Sequence, residues 1–413
     1  MTAYILGGAQ TDFARNWAKE GLGLVDMIRE SAEGALADAM VDVADVDVVH
    51  VGNHAGELFA GQSHLGGLTA SALPDLAGLP ASRHEAACAS GSIALLAADA
   101  EIAAGRYDLA LVVGVELMRN VPADQAAANL GSAAWAGREA VGATFPWPAL
   151  FADVAEAYDQ RWGLDAEHLG AIARSAFANA RRNPQAQARD WNFEPAAFTA
   201  DDTANPLVEG RLRRTDCGRI TDGAAAVLLA SPRYAAAWAT AHRRTLGDVP
   251  RLAGFGHTTD TLLLSDKLAR RTPDGTMFPH LAGAVADAYR RAGLRGAAGV
   301  DVAELHDCFT ISALVAYEHL GLPGIGPGQG GRLVEAAEAG EPVPFPINPG
   351  GGLLGLGHPV GATGVRMLHD AARQVAGTAG AAQVDGARTA LTLNIGGSFT
   401  TAVATVVTRG GDA

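Results

Sequence analysis

The chain has 413 residues, 48% of them hydrophobic and 18% charged, so about 150 residues per domain gives two or three domains with ample apolar surface for a large core. Its 51 glycines are spread along the sequence, as in a well-buried α/β enzyme and unlike a disordered protein. The net charge of −14 excludes nucleic acid as the main partner, and three cysteines without regular spacing exclude a disulfide scaffold and a zinc knuckle. Tyr4-Ile5-Leu6-Gly7-Gly8 follows no basic leader, and no run of about 18 apolar residues occurs. A soluble, cytoplasmic protein without membrane contact is expected.

Up to about Asn120, short apolar runs alternate with helical patterns: Tyr4–Leu6, a helix near Leu24–Met40, Val48–Val51, a helix near Ile93–Ala104, then Leu109–Val115. From about Ser265 the plan repeats, with a helix near Leu281–Ala292, Val302–Leu305, helices near Ser312–His319 and after Thr363, then Ala390–Leu393 and Thr401–Val407. Such alternation predicts a largely parallel sheet covered by helices. Asp47-Val48-Val49-His50 answers Asp301-Val302-Ala303-Glu304, and Asp108-Leu109-Ala110-Leu111 answers Arg388-Thr389-Ala390-Leu391. The halves read as a duplication: 1–120 with 222–264 forming the first, 265–413 the second. Between them, 121–221 reads as an inserted domain holding Trp135, Trp147, Trp162 and Trp191; these rings serve either its core or a ligand tunnel. Asp165-Ala166-Glu167-His168 marks a helix start there, and Asn183-Pro184 follows its end.

Two turns carry the chemistry. Cys88-Ala89-Ser90-Gly91-Ser92 and His358-Pro359-Val360-Gly361-Ala362 occupy corresponding places in the two halves, each with glycine three residues after the reactive side chain and a helical run beyond. A helix mouth offers free N–H groups and positive dipole, and a cysteine there with a histidine partner is expected to have its pKa brought from about 8.5 to roughly 3.5–7.5. Taken alone, Cys88 would read as a buried inert thiol; the His358 turn points instead to acyl transfer. His306 and Cys308 alternate by two and share a face if their strand continues, so His306 is placed to hold an enolate oxygen and Cys308 to move a proton. Their plain alternatives are a core histidine and a small hydrophobe. In Asn394-Ile395-Gly396-Gly397, the Gly396 N–H is expected to complete an oxyanion hole with that of Cys88. Arg213, Arg214 and Arg219 form the one candidate patch for a polyanionic ligand, or else a solvated run. Cys217 has no histidine near it in sequence and is expected to be structural.

The Cys88 turn, Gly357-His358-Pro359-Val360-Gly361-Ala362-Thr363-Gly364, and the block from Ala149-Leu150-Phe151-Ala152 through Asn183-Pro184 resemble the thiolases over nearly the whole chain. The resemblance is strongest to the sterol-carrier-protein type, which carries its second catalytic cysteine in a His-Asp-Cys-Phe motif, here His306–Phe309; Asn394 stands where other thiolases keep theirs. It implies a duplicated α/β/α/β/α layered fold with an inserted loop domain. It also implies a ping-pong reaction on acyl-CoA and acetyl-CoA: Cys88 takes the acyl group, His358 activates it, Cys308 moves the α-proton and His306 holds the enolate. Coenzyme A thioesters are then substrates, no cofactor or metal is expected, and a homodimer or homotetramer follows by analogy. The rival readings are a carrier-protein condensing enzyme, for which Cys308 has no use; a natural-product condensing acyltransferase on the same fold, whose acceptor would depend on pocket shape; and a non-catalytic acyl-CoA or lipid binder, which has no use for Cys88, Cys308 and His358 together. A carbon–carbon lyase on this scaffold would dispense with Cys88, and the partial glycine loop Gly355-Leu356-Gly357 misses the dinucleotide fingerprint.

Overall fold

The computed structural model describes residues 3–410. Its strands are β1 (Tyr4–Gln10), β2 (Val48–Gly52), β3 (Ala81–His84), β4 (Leu109–Glu116), β5 (Leu207–Glu209), β6 (Leu212–Arg213), β7 (Gly223–Ala230), β8 (Pro250–Thr259), β9 (Val302–Leu305), β10 (Thr389–Gly396) and β11 (Thr401–Arg409). All but the β5–β6 hairpin form one sheet in the order β3-β2-β4-β7-β1-β8-β11-β10-β9. In the first run β2 lies parallel to β3 and β4, while β7 is antiparallel to β4 and β1. In the second β9 lies parallel to β10, while β11 is antiparallel to β10 and β8. Only the pair Tyr4–Arg251 joins the runs among these residues.

Matching β1, β2, β4 and β7 to β8, β9, β10 and β11 gives the same pairing pattern twice, as a duplication requires. The match extends to single atoms. Asp47 Oδ2 accepts the N–H groups of Asp108 and Leu109 at 2.8 and 2.9 Å, and Asp301 Oδ2 accepts those of Arg388 and Thr389, both at 2.9 Å. In each half one aspartate thus starts the neighbouring parallel strand. The pairing also corrects the expected boundary: β7 belongs to the first run, but β8, within 222–264, pairs along its length with β11 and opens the second.

The helices that position the site are α1 (Leu24–Ala39), α2 (Ser90–Ala103), α3 (Ala123–Leu130), α4 (Pro146–Trp162), α5 (Ala166–Ala180), α6 (Leu264–Ala269), α7 (Pro279–Arg291), α8 (Thr310–Tyr317) and α9 (Thr363–Ala376). Alternation along β4 sorts the core into layers. Leu109, Leu111 and Val113 pack with Met27, Ile28, Ala32 and Ala35 of α1, the three-and-four spacing of an amphipathic helix. Ala110 and Val112 face the other way, onto Leu95 and Ala98 of α2 and Val365 and Leu368 of α9, in a cluster that also takes in Val302 and Ala390. Beyond the second run, Leu281, Ala284, Val285 and Ala288 of α7 close on Leu391, Leu393, Ala404 and Val406. Helix, sheet, helix, sheet and helix follow in order, with α2 and α9 as the middle layer.

The insertion holds α3, α4, α5 and the β5–β6 hairpin. Asp165 caps α5 as expected, its Oδ1 accepting the Glu167 N–H at 2.8 Å. Phe177 packs against Trp191, Phe193 and Phe198, so part of the aromatic content is core. Among the described residues no helix is long and apolar enough to cross a membrane.

Candidate active site

The site forms where residues just beyond the parallel strands meet the starts of α2 and α9. After β3, the chain turns through Ala87 at φ 51°, a left-handed conformation that costs a non-glycine residue energy. Ser90 fastens this turn: its Oγ donates to Ala87 O at 2.6 Å and accepts the Ala86 N–H at 3.0 Å. Cys88 is left just outside the first turn of α2. His358 follows Gly357, at φ +122°, and its N–H donates to Thr221 Oγ1 at 3.0 Å. The turns touch backbone to backbone. A Cβ on Gly91 would stand 2.7 Å from Gly361 O, and one on Gly361 would stand 2.5 Å from Val115 O. Both glycines are required for the approach that brings Cys88 to His358.

Donor atoms of Cys88, His306 and His358 lie within 4.8 Å of one another, and the two imidazoles meet edge to face. His358 Nδ1 lies 2.6 Å from Thr363 Oγ1, and its buried Nε2 has no hydrogen-bond partner among the described residues. His306 Nδ1 lies 3.1 Å from Asn394 Nδ2. Cys308, also buried, has Ser312 Oγ 3.9 Å from its sulfur. Cys88, Cys308 and His358 line one cavity of about 1110 Å³; His306, 1% exposed, is not among its lining residues. The expectation that His306 and Cys308 share the pocket therefore holds directly for Cys308, and for His306 only through its closeness to Cys88 and His358.

The electrostatics correct the expected thiolate. Burial pushes the Cys88 thiol up to about 12, against a backbone hydrogen bond from Gly397 that pulls it down. Burial, with the charges of Arg366 and His54, takes His358 down to about 3. His306 is lowered by burial and by His358 and Arg366, and Cys308 is raised by burial and then by Cys88. Burial thus favours a neutral thiol beside neutral imidazoles, against the pull of the helix mouth.

Gly397 lines the cavity, and its backbone hydrogen bond lowers the Cys88 thiol. Gly396, the expected oxyanion donor, ends β10, where an added Cβ would collide with Ala86 O. Of the three arginines, Arg213 is committed to Asp202 Oδ1 at 2.8 Å and Asn205 O at 2.7 Å. Arg214 and Arg219 line the cavity, and burial lowers the Arg219 guanidinium. Cys217 also reaches the cavity wall, though it is buried, its thiol is pushed up to about 12 by burial, and it donates to Arg213 O at 3.4 Å. Trp147 and Trp191 line the cavity with Phe145 and Phe193, so the insertion's aromatics serve the ligand space as well as the core.

Sequence reasoning missed Glu116 and His54 and set Asn394 aside. Glu116, fully buried at the end of β4, accepts from Asn53 Nδ2 at 2.9 Å and from the N–H groups of His54, Ala55 and Gly361 at 2.8, 3.1 and 3.0 Å. It ties the end of β2 to the His358 turn. His54 lines the cavity with Nδ1 2.9 Å from Glu85 Oε1. Burial alone would lower it, but the Glu85 hydrogen bond and the charges of Glu116 and Glu85 leave its pKa raised. The usable signal was Asn53-His54 directly after an apolar strand, where parallel sheets place ligands. Cys88, His306 and His358 are also spaced closely enough to share a soft divalent ion.

Two family profiles match: "Thiolase, N-terminal domain" over residues 3–233 and "Thiolase C-terminal domain-like" over 264–409. An acetyl-CoA acetyltransferase of Methanothermobacter thermautotrophicus is 34% identical over 411 residues, covering 98% of this chain and 99% of that one. Human sterol carrier protein 2 is 28% identical over 415 residues, covering 95% of this chain and 69% of its own. Among solved structures, the Ltp2-ChsH2(DUF35) aldolase matches with TM-score 0.79 at 20% identity over 100% of this chain and 98% of that one. An acetyl-CoA acetyltransferase from Syntrophomonas wolfei matches with TM-score 0.69 at 18% identity over 99% of each. At these identities the structural matches speak to fold.

Proposed function

This chain belongs to the thiolase family, and from that premise we propose that it is an acyl-CoA:acetyl-CoA C-acyltransferase working through an acyl-enzyme on Cys88. The observation that carries the reading is the convergence of Cys88, His306 and His358 within 4.8 Å on a cavity that Cys308 also lines. In thiolysis the Cys88 proton passes to His358, and the sulfur attacks the 3-keto carbon. The C2–C3 bond breaks, its electron pair stays on the acetyl-CoA enolate, and the enolate takes a proton from Cys308. Burial favours the protonated Cys308 thiol, the form this step consumes. The thiol of free coenzyme A then gives its proton to the Cys308 thiolate and displaces the acyl group, His358 returns its proton to Cys88, and condensation runs the same steps backward. Each proton transfer by a positioned group contributes on the order of 10²–10⁴ in rate, and an oxyanion donor such as the Cys88 or Gly396 N–H about 10²–10³.

Coenzyme A thioesters are the substrates in this scheme, and no cofactor or metal enters it. Arg214 and Arg219 on the cavity wall suit the anionic end of the thioester. A cytoplasmic homodimer or homotetramer accords with three free cysteines and with β3 forming a sheet edge with Ala81 and Ser82 exposed. A non-catalytic binder would have no need of two cysteines and two histidines around one sulfur. Assay of coenzyme-A-dependent thiolysis across 3-ketoacyl-CoA chain lengths tests the reading: at least one length should give acetyl-CoA and a shortened acyl-CoA. Absence of cleavage at every length, by a protein that binds these thioesters, would contradict it.

A further inference from the structure

A neutral imidazole carries one proton, so one nitrogen donates and the other accepts, and the partner of one nitrogen decides the role of the other. At His358 the partner is a hydroxyl. Thr363 Oγ1 has two neighbours, Pro359 O at 3.1 Å and His358 Nδ1 at 2.6 Å; a carbonyl can only accept, and the base role proposed for His358 requires the hydroxyl's single hydrogen to go to that carbonyl. The 2.6 Å contact with His358 Nδ1 is then an Nδ1–H donating to Oγ1. Nε2 of His358 bears the lone pair, as a base for Cys88 must.

His306 receives the opposite instruction. Ser92 Oγ donates to Asn394 Oδ1 at 2.8 Å, which fixes the amide so that its NH₂ faces His306 Nδ1 at 3.1 Å. An amide NH₂ donates and never accepts. Nδ1 of His306 therefore carries the lone pair, and its proton sits on Nε2. Asn394 is fully buried and stands on β10 between Ser92 of α2 and His306 just beyond β9. Burial keeps His306 neutral, so the tautomer decides whether it offers a hydrogen or a lone pair.

We propose that Asn394 is a positioning residue that fixes His306 as an Nε2–H donor toward the reacting centre, so that two touching imidazoles hold opposite tautomers: His358 the base, His306 the donor. The inference rests on the acyl-transfer reading above and assigns a task to the residue that stands in place of a second cysteine. Both histidines are neutral and buried, yet they are not interchangeable, because Thr363 accepts from one and Asn394 donates to the other.

The test combines a spectroscopic and a kinetic readout. Nitrogen-15 NMR of histidine-labelled protein, with the His306 signals assigned by their loss in His306→Gln, should show protonated Nε2 and bare Nδ1 in the wild type. A protonated Nδ1 would overturn the proposal whatever the enzyme's activity. Asn394→Asp replaces the donor by a carboxylate that draws the His306 proton to Nδ1. Its rate of exchanging the acetyl-CoA methyl protons with deuterated water should fall about 10²-fold, as for loss of an oxyanion donor, while acetylation of Cys88 falls tenfold or less. Equal losses in both half-reactions would mark Asn394 as merely structural. If wild-type Cys88 takes no acetyl group, the acyl-transfer reading fails and the NMR result alone decides the tautomer.

Discussion

Glu116 accepts the Gly361 N–H at 3.0 Å, and through this bond a strand of the first half holds the catalytic turn of the second. The same carboxylate satisfies His54 N–H, Ala55 N–H and Asn53 Nδ2. Glu116→Ala orphans these donors in a dry site at roughly 1–3 kcal/mol each, so its Tm should fall by several degrees and its activity with it. Glu116→Gln keeps only part of the acceptor capacity and should fall between. Thermal unfolding of the pair checks the order, and an alanine variant as stable as wild type would contradict it.

The neutral resting pair fixes a pH profile. Burial holds the Cys88 thiol up and His358 down, so thiolate is scarce near neutrality and grows as pH rises. Iodoacetamide should alkylate Cys88 faster with each step between about pH 7 and 10, without a plateau at the low end. His358→Ala should be slower near neutrality, where the base is needed, and the gap should narrow at high pH. A rate already flat below pH 7 would reveal a standing ion pair.

Cys308 should separate the half-reactions. Acylation of Cys88 needs no α-proton, so Cys308→Ala should still be acetylated by acetyl-CoA. It should then fail to exchange the methyl protons in deuterated water, a loss of about 10²-fold or more for one acid/base group. Wild-type exchange in this variant would assign the proton to another group and move the chain toward the carrier-protein condensing enzymes.

Lys267 braces the loop after β10 that carries Gly397 beside Cys88. Fully buried on α6, its Nζ donates to Thr400 Oγ1 at 2.8 Å, Ser398 Oγ at 3.3 Å and Leu262 O at 3.2 Å, while Phe399 between them sits at φ 55°. Lys267→Met removes a buried charge for an apolar chain of similar length, a change that is often tolerated. The fold should survive, and kcat should drop by up to about 10²-fold as the loop beside Cys88 drifts. Unchanged kcat would show that the loop holds itself.

How much of this was legible follows from what a sequence records. The turns at Cys88 and His358 and the aspartates at 47 and 301 stand in repeated local patterns, so the duplicated layered fold and the nucleophile with its base were readable. β7 was not, because half of Gly223–Ala230 is alanine and Val227 is its one β-branched residue, a weak strand signal. Arg213, Arg214 and Arg219 look alike in sequence; Asp202 and the Asn205 carbonyl, which occupy Arg213, are known only once the insertion folds. The thiol pKa was misjudged because a helix mouth can be seen in sequence and burial cannot. Asn394 was dismissed as a missing cysteine, although its meaning lies in Ser92 on one side and His306 on the other.

The most direct measurement is peptide mass spectrometry after brief incubation with acetyl-CoA. Cys88 should carry a single acetyl group, removed on addition of free coenzyme A, and His358→Ala should slow its appearance. A label on Cys217 or Cys308, or on no cysteine, would contradict the acyl-enzyme on which the account depends.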